Sequence, residues 1–242
     1  MKIENANFFG GQHQFGTNIN NFNFSLRTAN LWSKIPKENL SSNELIQLEQ
    51  QIAIINQEDA RAVDKFDAIT RIFNIVAQQS DGSLPEQLYS TLFRDKQGES
   101  IRFDAFLSFA EEDVEIAEKV YSELTKNGLN VWFSREHLKY GQSILGIITK
   151  VIQNSSSGIV VLSESTFSDE RHFPIQELTA LYNQNIYRKL LLFPIYHGIS
   201  HGYILDHYPM LSDLYACNTK QGVEAIVKEF VQQLRKHQKK IR

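Results

Sequence analysis

The sequence predicts an α/β fold, in which helices cover both faces of a parallel β-sheet, preceded by a small α-helical N-terminal region. Two observations predict it. After Ile101, short apolar runs alternate with amphipathic helical patterns over about 140 residues, whereas before that point the regular patterns are helical. Strands that alternate with helices are typical of doubly wound parallel sheets. The chain is therefore expected to have a helical first part and an α/β second part.

Length, composition and charge limit the possible functions. The 242 residues are 42% hydrophobic, which supplies a core for one large or two small domains. Lys and Arg number 25 against 28 Asp and Glu, so a net charge of −3 gives no general field for nucleic-acid phosphates. Direct nucleic-acid binding is not expected.

The N-terminus and the cysteine content predict the compartment. MKIENANFFGG has no basic start followed by an apolar run, and no stretch approaches the roughly 20 apolar residues that a membrane span needs. Cys217 is the single cysteine, which excludes an intrachain disulfide and fits a reducing environment. We therefore expect a cytoplasmic protein that does not interact with a membrane.

Residues 1–24 are predicted to form an N-terminal arm. They are rich in Asn, Gly, Gln and Phe, and aromatic residues alternate loosely with Asn, as in 21–24. Such a segment can pair as an edge strand or dock on another subunit. A flexible tail is an equally good interpretation at this point.

Residues 25–98 are predicted to be a helical oligomerisation or sensing region. Ser41 and Glu44 match a capping box. Two apolar stripes then follow with helical spacing: Leu45, Leu48, Ile52 and Ile55, and after them Phe66, Ile69, Phe73 and Val76. The polar residues 56–59 between the stripes predict a helical hairpin, and a short helix is predicted after Pro85.

The hairpin is expected to need a partner. Two short helices with narrow apolar stripes bury little surface by themselves. The polar stretch DKQGES at 95–100 predicts a domain boundary. The helical region is therefore expected either to self-associate or to pack on the domain that follows.

The second part is predicted to contain five buried strands, because its apolar runs are too continuous for one-sided strands and too short for helices. The runs lie at 103–109, 129–133, 158–163, 189–195 and, more weakly, 213–217. The helical patterns are Val114 to Lys126 ended by Gly128, Ser143 to Gln153, Phe173 to Asn183, and Val223 to Lys236. Ligands of such folds bind at the carboxyl ends of the strands.

The loop after the second predicted strand carries the most chemistry. Neither G-x-G-x-x-G nor G-x-x-x-x-G-K-[ST] occurs, so the sequence has no dinucleotide fingerprint and no P-loop. The segment SREHLKYGQS at 134–143 offers His137, Lys139 and Gly141 before a helix. A basic loop at a helix N-terminus suits an anion or phosphate, although without further context an ordinary solvated connection is the favoured interpretation.

Glu177 lies four residues after Phe173 in the helix predicted after the third strand. Residues at i and i+4 share a helix face, so the ring and the carboxylate would project together. In such a pair the ring could stack on a planar base, while the carboxylate stabilises the positive charge that develops on the sugar, as in glycoside cleavage. Taken alone, a surface Glu177 and a core Phe173 are the favoured interpretation.

Two other candidates are weaker. Three histidines fall within eleven residues: His197, His201 and His207. Any helix that could align these three histidines is expected to be interrupted by Gly198, Gly202 and Pro209. Ser108 and Ser163 end predicted strands, but neither lies in a G-x-S-x-G elbow. No metal site and no serine hydrolase is therefore expected.

Three segments in this order resemble a bacterial Toll/interleukin receptor (TIR) domain. FDAFLSF with the following AEED resembles the first box of the family, and VWFSREHLKYGQSI resembles its second strand and BB loop. GIVVLSESTFSDERHFPIQEL resembles its third strand and the helix with the W-x-x-x-E signature. The resemblance predicts a TIR domain at 99–242. Two positions depart from the family pattern, since Phe173 replaces its tryptophan and Ser134 an aspartate common at the start of the loop.

The resemblance implies a flavodoxin-like fold with a five-stranded parallel sheet. In enzymatic members it implies cleavage of the nicotinamide–ribose bond of NAD+ to give ADP-ribose or a cyclic isomer. Glu177 would be the catalytic carboxylate that stabilises an oxocarbenium-like transition state. The implied substrate-binding residues are Ser108, Phe109, Trp132, His137, Lys139, Gly141 and Phe173. NAD+ would be a consumed substrate, with no bound cofactor and no metal.

The leading hypothesis is an NAD-cleaving TIR effector in bacterial immunity against phage, which self-associates through the BB loop and the N-terminal helices. One alternative is a non-catalytic adaptor that joins other TIR domains, or an effector that disturbs host signalling. Another is a nucleoside deoxyribosyltransferase-like enzyme, which shares the fold type and a catalytic glutamate but does not explain the BB-loop sequence. Glu177 favours the NAD-cleaving enzyme.

Overall fold

A computed structural model describes residues 32–77, 102–135, 151–167 and 190–241. Its sheet contains β1 (Ala105–Phe109), β2 (Val131–Arg135), β3 (Ser157–Leu162), β4 (Leu191–Tyr196) and β5 (Cys217–Asn218). The strands are parallel and follow the order β2-β1-β3-β4-β5. This is the flavodoxin-like order, and it confirms the predicted five-stranded α/β fold.

The helices of the described residues cover this sheet and precede it. They are α1 (Ser42–Asn56), α2 (Ala62–Ala77), α3 (Val114–Lys126), α4 (His201–His207), α5 (Pro209–Ser212) and α6 (Val223–Ile241). Short 3-10 turns occupy Lys37–Asn39, Glu111–Asp113, Ser165–Phe167 and Thr219–Gln221. Among the described residues, no helix is both long enough and apolar enough to span a bilayer.

The predicted helix positions agree with these bounds where they can be compared. Helix α3 has the predicted limits, and α6 continues past its predicted end at Lys236. Residues 151–153 are helical, as predicted for the end of the helix that starts at Ser143. The rest of that helix lies outside the described residues, as do the helices predicted after Pro85 and at Phe173 to Asn183.

Local sequence explains how α1 begins and how α3 ends. The Ser41 hydroxyl accepts a hydrogen bond from the Glu44 amide at 3.3 Å, and the Glu44 carboxylate accepts one from the Ser41 amide at 2.8 Å. This confirms the predicted capping box. After α3, Gly128 has φ of +80° and its amide donates to the Thr125 carbonyl at 3.0 Å. Glycine adopts this left-handed conformation without a Cβ penalty.

Hydrogen bonds that Asp104 and the neighbouring Arg102 accept tie the strands together at the amino edge of the sheet. The Asp104 carboxylate accepts from the Asn130 amide at 2.8 Å, just before β2. The Asn130 side chain donates to the Arg102 carbonyl at 2.9 Å, and the Ser157 hydroxyl donates to the Asp104 carbonyl. The aspartate of FDAFLSF therefore fixes strand entry, at the end of the sheet opposite to the usual ligand edge.

The N-terminal hairpin packs on the α/β domain. Helices α1 and α2 contact each other, and α2 also contacts β2. The Phe66 ring of α2 lies 4.8 Å from the Trp132 ring of β2 between centroids. Just before α2, Arg61 Nη1 lies 3.3 Å from Glu118 Oε1 of α3. The hairpin was expected either to self-associate or to pack on the domain that comes after it. The structure shows it packed on that domain.

Candidate functional site

The structure describes three of the eight predicted site residues: Ser108, Phe109 and Trp132. The catalytic candidate Glu177 lies outside the described residues. So do four of the predicted substrate-binding residues: His137, Lys139, Gly141 and Phe173. The roles of these five residues stay predictions.

Ser108 lies close to the carboxyl edge of the sheet, where ligands of this architecture bind. It is the penultimate residue of β1 and pairs with Ser134 of β2 and Val160 of β3. Its side chain is buried, with 1% of its surface exposed. Ser108 thus has the position that its predicted role requires, and contact with a substrate stays a prediction.

Phe109 points to the opposite face of the sheet, because successive residues of a strand alternate between faces. Its ring stacks on Phe133 of β2 at 4.8 Å, and Phe133 stacks on Tyr121 of α3 at 4.8 Å. Burial raises the pKa of Tyr121, which keeps its hydroxyl neutral. The geometry gives Phe109 a packing role, and its predicted substrate contact stays a prediction.

Trp132 lies on the same face as Ser108, but in the first half of β2. It is 1% exposed, and its ring lies 4.8 Å from Phe66 and 5.7 Å from Phe103 between centroids. The family resemblance implies a place for Trp132 at the substrate pocket. The described contacts place its ring beneath α2, and its predicted role in binding NAD+ stays a prediction.

A buried polar pair at the carboxyl edge was missed by sequence reasoning. Asp113, in the turn after β1, accepts a hydrogen bond of 2.6 Å from the Ser163 hydroxyl, just after β3. The Ser163 amide donates to the Thr166 hydroxyl at 3.0 Å. Burial raises the pKa of Asp113, while the Ser163 hydrogen bond and the charge of His197 act against that rise. The pair joins the loops that follow two neighbouring strands.

The signal for this pair was present in the sequence. The motif AEED places a carboxylate directly after the first strand, and the hydroxyl of Ser163 directly follows the third. Parallel strands bring both to one edge. The Ser163 hydroxyl donates to Asp113 rather than to a histidine, which gives it a structural hydrogen bond instead of a general base.

The histidine segment corrects one expectation. Gly202 was predicted to interrupt a helix, yet α4 runs through it from His201 to His207. The Ser200 hydroxyl caps this helix by accepting from the Tyr203 amide at 3.1 Å, and Gly202 lies in the first turn, where the cost of glycine is offset by the cap.

His197 belongs to a different contact. Its Nδ1 lies 3.0 Å from the Thr219 hydroxyl, and its amide donates to the Leu162 carbonyl at 2.8 Å. These bonds join the ends of β3 and β4 to the turn after β5. Within the ranges described, no group of three or more His, Cys, Asp or Glu is placed to hold a metal ion.

The segment that contains all five strands matches a known family. Residues 105–237 match the family model described as TIR domain. The match covers more than half of the chain, from β1 into α6. This chain belongs to the TIR domain family. The buried Asp113–Ser163 pair and all five strands therefore belong to its TIR domain, whereas α1 and α2 precede it.

Three relatives of the TIR domain are informative. NAD(+) hydrolase TcpA of Theionarchaea archaeon is 31% identical over 142 residues, which cover 57% of this chain and 41% of the relative. Probable 2' cyclic ADP-D-ribose synthase TcpB of Brucella melitensis is 35% identical over 129 residues, which cover 52% and 51%. 2' cyclic ADP-D-ribose synthase AbTIR of Acinetobacter baumannii is 34% identical over 118 residues, which cover 48% and 43%. The chain spans about half the length of the curated relatives it matches.

Proposed function

We propose that this TIR-domain protein cleaves the nicotinamide–ribose bond of NAD+, releasing nicotinamide with ADP-ribose or a cyclic ADP-ribose isomer. One observation carries the proposal: the part of the chain that matches the TIR family is 31–35% identical to relatives named as NAD+ hydrolases and cyclic ADP-ribose synthases. The proposal assigns the carboxylate that such chemistry uses to Glu177.

The reaction requires little acid catalysis. When the bond between the anomeric carbon and the pyridinium nitrogen breaks, the electron pair stays on nitrogen, and nicotinamide leaves as a neutral molecule. Positive charge then develops on the ribose, where a fixed carboxylate stabilises the transition state. In this proposal Glu177 is that carboxylate. Attack by water gives ADP-ribose and attack by a hydroxyl of the same molecule gives a cyclic product, in each case with loss of the proton of the attacking group to solvent.

Binding is assigned to the loop after β2 and to the end of β1. His137 and Lys139 would face the diphosphate, and Gly141 would let the backbone approach it closely. Phe173 would provide a flat wall beside the nicotinamide. The position of Ser108 is consistent with this proposal, because it is the penultimate residue of β1 and lies near the carboxyl end of the strand.

The test is incubation of the purified protein with NAD+, followed by chromatographic separation of nicotinamide, ADP-ribose and cyclic isomers. We expect Glu177→Ala to lower turnover by about 100-fold or more, the usual cost of removing a group that stabilises transition-state charge. Glu164→Ala is the matched control, because Glu164 is an exposed glutamate of the same motif block. It should retain wild-type turnover.

Equal turnover by the wild type and Glu177→Ala would overturn the catalytic assignment. Absence of turnover by the wild type at high concentration, with and without a crowding agent, would instead favour a non-catalytic TIR adaptor. The two outcomes are separated by the same assay.

We further propose that the protein acts in the cytoplasm, self-associates through the loop after β2 and its N-terminal helices, and serves bacterial defence against phage. Support comes from the single cysteine and from the resemblance of the loop to a BB loop. Bacteria expressing the wild type should lose NAD+ during infection and release fewer phage than bacteria expressing Glu177→Ala. Equal phage yields would contradict the defence role.

A further inference from the structure

We infer that the hydrogen bond between Asp113 and Ser163 is a latch across a split in the β-sheet, which closes the crevice between β1 and β3 and loosens as Asp113 gains negative charge. Both residues lie in the described part of the chain, and neither takes part in the proposed cleavage of NAD+. The latch would control how often the crevice opens to a ligand.

The sheet divides at its carboxyl edge into one part formed by β2 and β1 and another formed by β3, β4 and β5. Pairing between β1 and β3 ends at Ser108 and Val160. One strand nevertheless continues to Phe109, which stays paired with β2, and the other to Leu162, which stays paired with β4. Each part therefore stays intact up to the edge, whereas β1 and β3 pair no further within the described sheet.

This split lies at the topological switch point of the sheet. In the order β2-β1-β3-β4-β5, the chain goes from β1 to β2 on one side and then crosses to β3 on the other side of β1. Folds with this strand order bind ligands in the crevice between the first and third strands. A bond that spans the crevice can therefore control access to it.

The hydrogen bond between Asp113 and Ser163 spans the split beyond the last paired residues. It is 2.6 Å long and joins the turn before α3 to the loop after β3. Asp113 occupies the N-cap position of α3, where an aspartate usually accepts hydrogen bonds from the first helix amides. Its side chain does not cap this helix. The carboxylate is thus directed across the crevice instead of to its own helix.

Thr166 supports the β3 side of the latch. Its hydroxyl accepts from the Ser163 amide at 3.0 Å and donates to the Val161 carbonyl at 3.3 Å. Val161 directly follows the last residue of β3 that pairs with β1. A side chain therefore satisfies a carbonyl beyond the end of the ladder, and the same side chain fixes the backbone that carries the Ser163 hydroxyl.

The charge of Asp113 makes the latch adjustable. Asp113 is 4% exposed, and burial raises its pKa because the ionised carboxylate loses its hydration. Of the groups around it in the described structure, the Ser163 hydroxyl and the charge of His197 oppose this rise, and the charge of Glu112 adds to it. Burial is the largest of these effects, so the closed latch favours the neutral acid. Opening returns the carboxylate to water, and it should therefore become easier as pH rises.

The test compares Ser163→Ala with Ser157→Ala in the full chain by hydrogen exchange. Ser157 is a fully buried residue of β3, and its hydroxyl donates to the Asp104 carbonyl just before β1. The control thus removes a hydroxyl that bridges the same two strands at the amino edge. The measurements are the thermal midpoint and the protection of the amides of residues 109–114 and 161–167.

We expect Ser163→Ala to lower the protection of both segments about ten-fold, a usual loss for a hydrogen bond to a charged group. Ser157→Ala should lower the thermal midpoint to a similar extent, while the protection of both segments stays at the wild-type level. Equal losses of protection in the two variants, or no loss in Ser163→Ala, would overturn the inference.

Asp113→Asn keeps an acceptor for Ser163 and removes the charge, and it is also the second variant in case Ser163→Ala folds poorly. Protection is corrected for the intrinsic pH dependence of exchange. In the wild type the protection of 109–114 and 161–167 should fall as pH rises from about 4 to about 7, whereas in Asp113→Asn it should stay constant. A wild-type protection that does not change with pH, or the same change in both proteins, would overturn the inference.

Discussion

Trp132 and Phe133 are neighbours in sequence, yet their side chains belong to two different parts of the molecule. Phe133 completes an aromatic stack within the TIR domain, between Phe109 and Tyr121. Trp132 faces the N-terminal hairpin and contacts Phe66. The alternation of side chains along a strand produces this division. One face of β2 is thus held by its own domain and the other by a segment that precedes it.

The largest effect is expected from Phe133→Ala. Removing a buried ring that stacks on two others should lower the free energy of unfolding by about 3–5 kcal/mol, through lost burial and the cavity left behind. Urea unfolding followed by circular dichroism measures it. A loss below about 1 kcal/mol would show that the TIR face of β2 is not the more tightly held of the two.

Phe66→Ala should have a smaller and more local effect. We expect a loss near the lower end of the same range, about 3 kcal/mol, since the ring leaves a cavity at the border of hairpin and domain. In a Trp32→Phe background Trp132 is the only tryptophan, because the chain has two. Its fluorescence should shift to longer wavelength in the folded protein. Unchanged emission would mean that another group shields Trp132.

Asp113 lies at the carboxyl edge of the sheet, and its charge should make the stability of the protein depend on pH. Because burial raises its pKa in the folded state, its contribution to stability is present below the ordinary value of about 3.9 and is lost as pH rises through the raised value. Asp113→Asn keeps an acceptor for Ser163 and removes the charge.

The stability of the wild type relative to Asp113→Asn should therefore fall as pH rises above about 4. Denaturant unfolding over a series of pH values measures this difference. A relative stability that rises with pH would show that Ser163 and His197 outweigh burial and hold the pKa of Asp113 below its ordinary value.

The smallest effect is expected from Glu118→Gln, which removes the ion pair with Arg61 and leaves the pair between Arg61 and Asp64 in place. The side chains of the removed pair are 53% and 32% exposed, so its loss should change the free energy of unfolding by less than about 1 kcal/mol. Unfolding at low and high salt would measure both the effect and its screening. A loss comparable with that of Phe66→Ala would assign the attachment of the hairpin to charge rather than to ring packing.

Much of the fold could be predicted from the sequence, because its signals are local. The capping box at Ser41, the limits of α3 and the apolar runs of the strands all depend on neighbouring residues. Gly202 shows where local rules fail, since a cap at Ser200 offsets a residue that disfavours helix. Whether a glycine interrupts a helix therefore depends on the capping residue beside it as much as on the glycine itself.

The site was less predictable, since its contacts join distant parts of the chain. Asp113 and Ser163 are 50 residues apart. The sequence places each of them after a strand, but that they pair with each other follows from the strand order, which sets β1 beside β3. Phe66 was recognised as part of an apolar stripe, but periodicity gives the face of a helix and not its partner. The contact between Phe66 and Trp132 was therefore not predicted, and the predicted place of Trp132 in a substrate pocket stays a prediction.

NAD+ turnover by Glu177→Ala tests the proposed catalytic role of this carboxylate most directly. The purified variant and the wild type are incubated with NAD+, and the released nicotinamide is measured by chromatography. Loss of the carboxylate is expected to lower turnover by about 100-fold or more, while the control Glu164→Ala keeps wild-type turnover. Equal turnover by the wild type and Glu177→Ala would contradict the proposed role.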